Sequence, residues 1–161
     1  MSFVARIDRF CTQHPEAPRD AILASRLLFH TARAVRQAIA SALRPFDLSM
    51  DQYLVLCLLG TDDDEPSSPS LLGDTLDITR TQMTRLLDPL EARGLLTRRT
   101  RGTDRRSVEL RVSPEGQQVV RDAAGAVHAV YQRVWGTLPA DVGQTVVDGL
   151  RQVHDAAVSG S

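Results

Sequence analysis

The chain has 161 residues with a formal net charge of −1; 42% are hydrophobic, 4% aromatic, and two are cysteines. That length holds one core of ordinary size and not two independent ones. No apolar stretch nears the ~20 residues of a membrane span, the opening MSFVARIDRF lacks the apolar segment of a secretory signal, and Cys11 with Cys57 makes no disulfide framework, so the expected setting is a reducing cytoplasm.

Scarce aromatics and abundant Ala, Val and Leu predict a mostly helical protein. Residues 3–13 read as a short helix closed by the His14-Pro15-Glu16-Ala17-Pro18 break. From Asp20 to Leu43 there is no Pro or Gly, and apolar residues recur at helical spacing up to Pro45. Ser49 then predicts an N-cap, with Gln52 completing a capping box before the apolar run Tyr53 to Leu59, which belongs at the centre of the fold. Thr61 to Pro69 reads as a loop. Its Asp62-Asp63-Asp64-Glu65 run has no spaced His or Cys beside it, so a solvated loop is expected and no metal site.

A helix–turn–helix pattern follows. Ser70 to Leu76 is a short helix and Asp77-Ile78 the turn. Thr79 caps the second helix, again with a box to Gln82, and Gly94 terminates it just past Arg93. Pro89 lies inside this helix and is expected to bend its C-terminal half. Residues 95–101 and 106–112 read as two strands turned at Gly102, a hairpin or wing. Ser113-Pro114-Glu115 opens another long helix, Gly136 to Pro139 breaks it, and a last apolar-striped helix ends in a frayed Ser159-Gly160-Ser161.

The charge distribution outweighs the net charge. Residues 80–111 carry nine Arg against four acids, leaving the other 129 residues at −6. A basic segment in an acidic body is the footprint of a localised polyanion contact. Arg98, Arg99, Arg101, Arg105 and Arg106 crowd one turn, where they repel one another unless a polyanion relieves them, and Asp104 is the only acid at that tip. Arg105 or Arg106 is expected to enter a minor groove. The start of the second helix offers Arg80, Thr81, Gln82, Thr84 and Arg85 to a major groove, where Arg pairs with guanine and Gln with adenine.

Leu86-Leu87-Asp88-Pro89-Leu90-Glu91-Ala92-Arg93-Gly94-Leu95-Leu96, then Asp104-Arg105-Arg106-Ser107-Val108-Glu109-Leu110 and Ser113-Pro114-Glu115-Gly116, resembles the signature of the multiple-antibiotic-resistance regulator (MarR) family. The N-terminal half from Ala21 to His30 is similar to the EmrR-like efflux-repressor branch. Pro89, where the family prefers a helix former, and Ser113 in place of its usual Thr are departures. The resemblance implies a single mainly helical domain, 1–161, with a small β-hairpin. Residues 46–113 would form a winged helix–turn–helix, and 1–45 with 114–158 the dimerisation helices. It also implies a homodimer on a palindromic DNA operator, repression, and release by a small aromatic or phenolic anion or a drug, with no cofactor. The apolar stripes of 3–13, 20–43 and 138–158 exceed what a small winged unit can cover, which independently supports a two-fold partner.

In the resembled family effectors sit between the dimerisation helices and the winged unit. Arg26, His30 and Arg33 share one face of the long helix, where they are expected to meet Tyr53 and Cys57 around an anionic aromatic ligand, with salt bridges as the plainer alternative. Cysteine-based redox sensing is a second reading. The reactive cysteine of the family's organic-peroxide sensors falls at about Ala24, which disfavours it, and Trp135 as the only Trp disfavours urate. A winged helix used for protein assembly is a third reading, opposed by the arginine-rich wing. An enzyme is not expected: there is no nucleophile–base arrangement, phosphate loop or metal spacing.

Overall fold

Local chemistry starts most of the helices. In the computed structural model, which describes residues 2–61, 67–100 (the backbone alone at 100) and 108–160, the order is α1 (Phe3–Gln13), α2 (Arg19–Leu43), a 3-10 turn (Arg44–Phe46), α3 (Met50–Thr61), α4 (Pro69–Leu76), α5 (Arg80–Ala92), β1 (Leu96–Thr100), β2 (Val108–Val112), α6 (Pro114–Trp135) and α7 (Ala140–Ser159). Ser2, Ser49, Ser68, Thr79 and Ser113 each accept a backbone amide from the first turn of the helix that follows, satisfying donors that have no intrahelical partner. The Ser49–Gln52 box closes with the Ser49 amide donating to Gln52 Oε1 at 2.9 Å. Asp47 and Asp77 turn the chain in the left-handed region, at φ 51° and 52°, and Gly94 does so at 71°.

α3 is the centre, as its all-round apolar run predicts. It touches α2, α5, α6 and β2. Val55 and Leu56 are fully buried with Leu43 of α2, Leu90 of α5 and Ala123 of α6 around them in one cluster. Pro89 does not end α5, which continues to Ala92, and the Leu95 amide reaches back to the Leu90 carbonyl at 2.9 Å across the Gly94 turn.

The hairpin is antiparallel, with Leu96 opposite Val112 and Arg98 opposite Leu110. A bridge on the other edge of β2, which the sequence reading folded into the Thr61–Pro69 loop, comes from Ser67: its carbonyl accepts the Leu110 amide at 2.8 Å. The acidic run 62–65 in that loop lies outside the described residues. At the base of the hairpin the Ser113 hydroxyl donates to the Gly94 carbonyl at 2.6 Å and the Ser113 amide to the Leu95 carbonyl at 3.0 Å, pressing the first turn of α6 against the wing.

Outside the winged unit, α1, α2, α6 and α7 leave apolar surface uncovered. Leu27 and Phe29 of α2 are exposed, as are Phe10 of α1, Trp135 of α6, and Val147, Leu150 and Val153 of α7. α7 buries no residue at all.

Candidate nucleic-acid interface

α5 divides cleanly. Met83, Leu87 and Leu90 are buried against the core, while Arg80, Thr81, Gln82, Thr84 and Arg85 are all exposed on the outer side of its first turns. Thr84 turns its hydroxyl back to the Arg80 carbonyl at 3.1 Å. Gln82 carries a constraint that the sequence reading did not weigh when it gave the residue two roles. Its Oε1 accepts both the Thr79 amide, at 3.0 Å, and the Thr79 hydroxyl, at 2.7 Å. The carbonyl half of the amide is therefore occupied by the cap, which leaves no acceptor for a paired contact with adenine.

The wing arginines also separate. Strand alternation puts Arg98 on the side of Leu96, facing α5, and Arg99 on the other side. Arg98 is correspondingly folded back, its side chain 28% exposed, with Asp88 Oδ1 at 2.6 Å and Glu91 Oε2 at 3.4 Å. The sequence reading grouped it with the DNA-facing arginines; its geometry is that of a strap between wing and helix. Arg99 is exposed. Its cross-strand neighbour Glu109 pairs with Arg111 at 2.5 Å. Arg101, Asp104, Arg105 and Arg106 lie outside the described residues.

One fastening went unread in the sequence. The Arg93 guanidinium donates to the Phe46 carbonyl at 3.0 Å and to the Asp47 carbonyl, tying the end of α5 to the corner between α2 and α3. Its only sequence signal is a cation in the last residue before a helix-terminating Gly, which more often serves the helix dipole.

The five expected ligand residues do not converge. Arg26 is exposed on α2, and His30 packs its ring edge-on to Phe3 at 5.2 Å. Arg33 lines an open groove of about 550 Å³ with Arg36, Met50 and Asp51, where Arg36 pairs with Asp51 at 3.2 Å. Tyr53 and Cys57 instead face α6 across a cavity of about 480 Å³, together with Leu56, Val120, Arg121 and His128. Shared spacing on α2 told which side those residues occupy, not that α3 would turn its Tyr53 face elsewhere. Burial, helped by the neighbouring Cys57, pushes the Tyr53 phenol up to about 12. Burial also pushes the Cys57 thiol up, against the opposing hydrogen bond from Tyr53. A thiol held protonated is a poor nucleophile, which weighs against redox sensing at Cys57. Arg121 of α6 is held by the Gln118 side-chain oxygen at 2.8 Å and meets no carboxylate among the described residues.

A short helix, a left-handed turn, a second helix with a bare polar flank and a hairpin strapped beside it define a winged helix–turn–helix protein. Comparison with known proteins agrees. A model of the MarR family matches residues 46–107. The transcriptional repressor MprA of Escherichia coli K12 is 27% identical over 88% of this chain and 78% of its own length. An HTH-type transcriptional regulator of Bacillus subtilis, YhbI, is 32% identical over 65% of this chain and 69% of its own. The crystal structure of CouR from Rhodococcus jostii RHA1 bound to p-coumaroyl-CoA superimposes with a TM-score of 0.69 at 29% identity, covering 79% of this chain and 88% of that one. The chain belongs to the MarR family, whose members are transcriptional regulators and not enzymes. Among the described residues no helix is long and apolar enough to cross a membrane.

Proposed function

We propose that the protein is a cytoplasmic homodimeric repressor that grips a palindromic operator and lets go when a small anionic aromatic compound binds. In this reading 46–113 is the DNA-binding unit, and 1–45 with 114–158 join the two copies. The observation that carries it is the exposed face of α5, two arginines and two threonines wide, beside a hairpin whose sequence adds Arg99, Arg101, Arg105 and Arg106. The dimer places two such faces one DNA turn apart. The uncovered stripes of α1, α2, α6 and α7 support the pairing.

Fluorescence anisotropy against duplex from the protein's own promoter region tests the reading. Arg106→Ala should weaken binding to every duplex about tenfold or more and flatten the dependence of log K on log salt by about 0.9, the loss of one phosphate neutralised. Unchanged affinity and slope would remove the wing from the interface.

The effector half rests on the cavity between α3 and α6. A phenol, a guanidinium that meets no carboxylate among the described residues and the His128 ring around Leu56 and Val120 suit a flat acid. The p-coumaroyl-CoA bound by CouR likewise presents a phenol ring. Salicylate titrated onto the protein–DNA complex should displace it, at a concentration about tenfold higher for Arg121→Ala. Equal release from both proteins would move the effector to another site.

A further inference from the structure

We propose that Gln82 reads hydrogen-bond acceptors on a base edge, and so prefers guanine or thymine to adenine and cytosine. The inference rests on the DNA-binding reading above and assigns one side chain of that interface its chemistry.

The argument is an inventory of lone pairs. An amide oxygen has two, and an amide nitrogen offers two donors. In this structure both lone pairs of Gln82 Oε1 are used, by the Thr79 amide at 3.0 Å and the Thr79 hydroxyl at 2.7 Å. The reciprocal bond, from the Gln82 backbone N–H to Thr79 Oγ1 at 3.4 Å, closes the capping box. The Gln82 Nε2 group donates to nothing among the described residues, and the side chain is exposed in the first turn of α5, flanked by Arg80 and Arg85.

Glutamine recognises adenine by accepting from N6 while donating to N7. Doing so here would strip Oε1 from two donors and open the cap of the helix that presents it. What remains without that rearrangement is a pure donor. In the major groove guanine shows two adjacent acceptors, O6 and N7, and thymine one, O4; adenine offers N7 alone, beside an amino group that opposes the second donor, and cytosine shows only an amino group. Donor against donor repels. The cap therefore sets the polarity of the reader: the residue that starts the helix decides which half of Gln82 faces the base.

Gln82→Glu isolates this effect. A carboxylate oxygen accepts the same two donors, and an acid in the first turn suits the helix dipole, so the box survives. The amide donors vanish and an acceptor takes their place. The experiment is selection from a duplex pool randomised over the operator, using the full-length dimer, with base ratios at each position as the readout so that a uniform loss from added negative charge cancels.

Wild type should prefer guanine or thymine at one position per half-site. Gln82→Glu should shift that ratio about tenfold toward cytosine or adenine, with an unchanged or higher Tm. Gln82→Ala should erase the preference without creating a new one. Adenine chosen by wild type at the Gln82-sensitive position would overturn the proposal, as would identical selection by all three proteins. A wild-type dimer that retains no duplex would overturn the DNA-binding reading and this inference with it, so the two failures are distinct.

Discussion

Gly116→Ala should cost about 3 kcal/mol of stability and lower Tm by about 6–12 °C, although Ala is ordinarily the better helix former. A Cβ at this position would sit 2.1 Å from the Leu95 carbonyl oxygen, 3.0 Å from its carbon and 2.9 Å from Val112 Cγ2. The first two are backbone atoms of the turn between α5 and the wing, and Ser113 binds that same turn from one side through two hydrogen bonds. Neither surface can yield cheaply. To admit the methyl group, α6 must lift off the base of the hairpin, exposing Leu95 and Leu110, now 5% and 1% accessible. Thermal denaturation followed by circular dichroism checks this, and a Tm within 2 °C of wild type would show that the contact relaxes freely.

Val147→Asp combined with Leu150→Asp should turn the dimer into a monomer and cut operator affinity by at least about a hundredfold. α7 is 20 residues long without one buried side chain, and its apolar stripe includes Val142, Val147, Leu150 and Val153. A helix striped this way is stable in water only when another surface covers the stripe. The cluster around Leu56 is assembled within one chain, so the variant should keep its fold while losing its mate. With one half-site engaged instead of two, the contacts of the second no longer add to the first. Light scattering after size exclusion reports the mass, and anisotropy the affinity. A variant that stays dimeric would take α7 out of the interface.

Much of this architecture is legible in short stretches of chain. The helices at Ser49, Thr79 and Ser113 begin where the sequence places their caps, because a cap is a contract between residues three apart. Gly94 ends α5 for an equally local reason, a positive φ. What escaped the sequence depends on distant partners. Ser67 completes the wing from 43 positions away in the chain, pairing with Leu110. Arg98 looks like another DNA-facing cation until Asp88 and Glu91 are seen beneath it, although counting alternate residues from the apolar Leu96 would have turned it inward. The α2 face of Arg26, His30 and Arg33 was read correctly as one side of a helix, yet periodicity carries no information about which neighbour that side meets. Gln82 was legible twice over, as cap and as reader, and only interatomic distances show that its oxygen cannot serve both.

Two arginines fasten α5 at its far end, Arg98 to the hairpin and Arg93 to the carbonyls of Phe46 and Asp47. The helix and hairpin are therefore held as one piece, and the proposed dimer would set two such pieces against the duplex. A change in the separation of the two pieces would then alter how tightly the dimer holds DNA while leaving unchanged the shape of each piece, and so the sequence it fits.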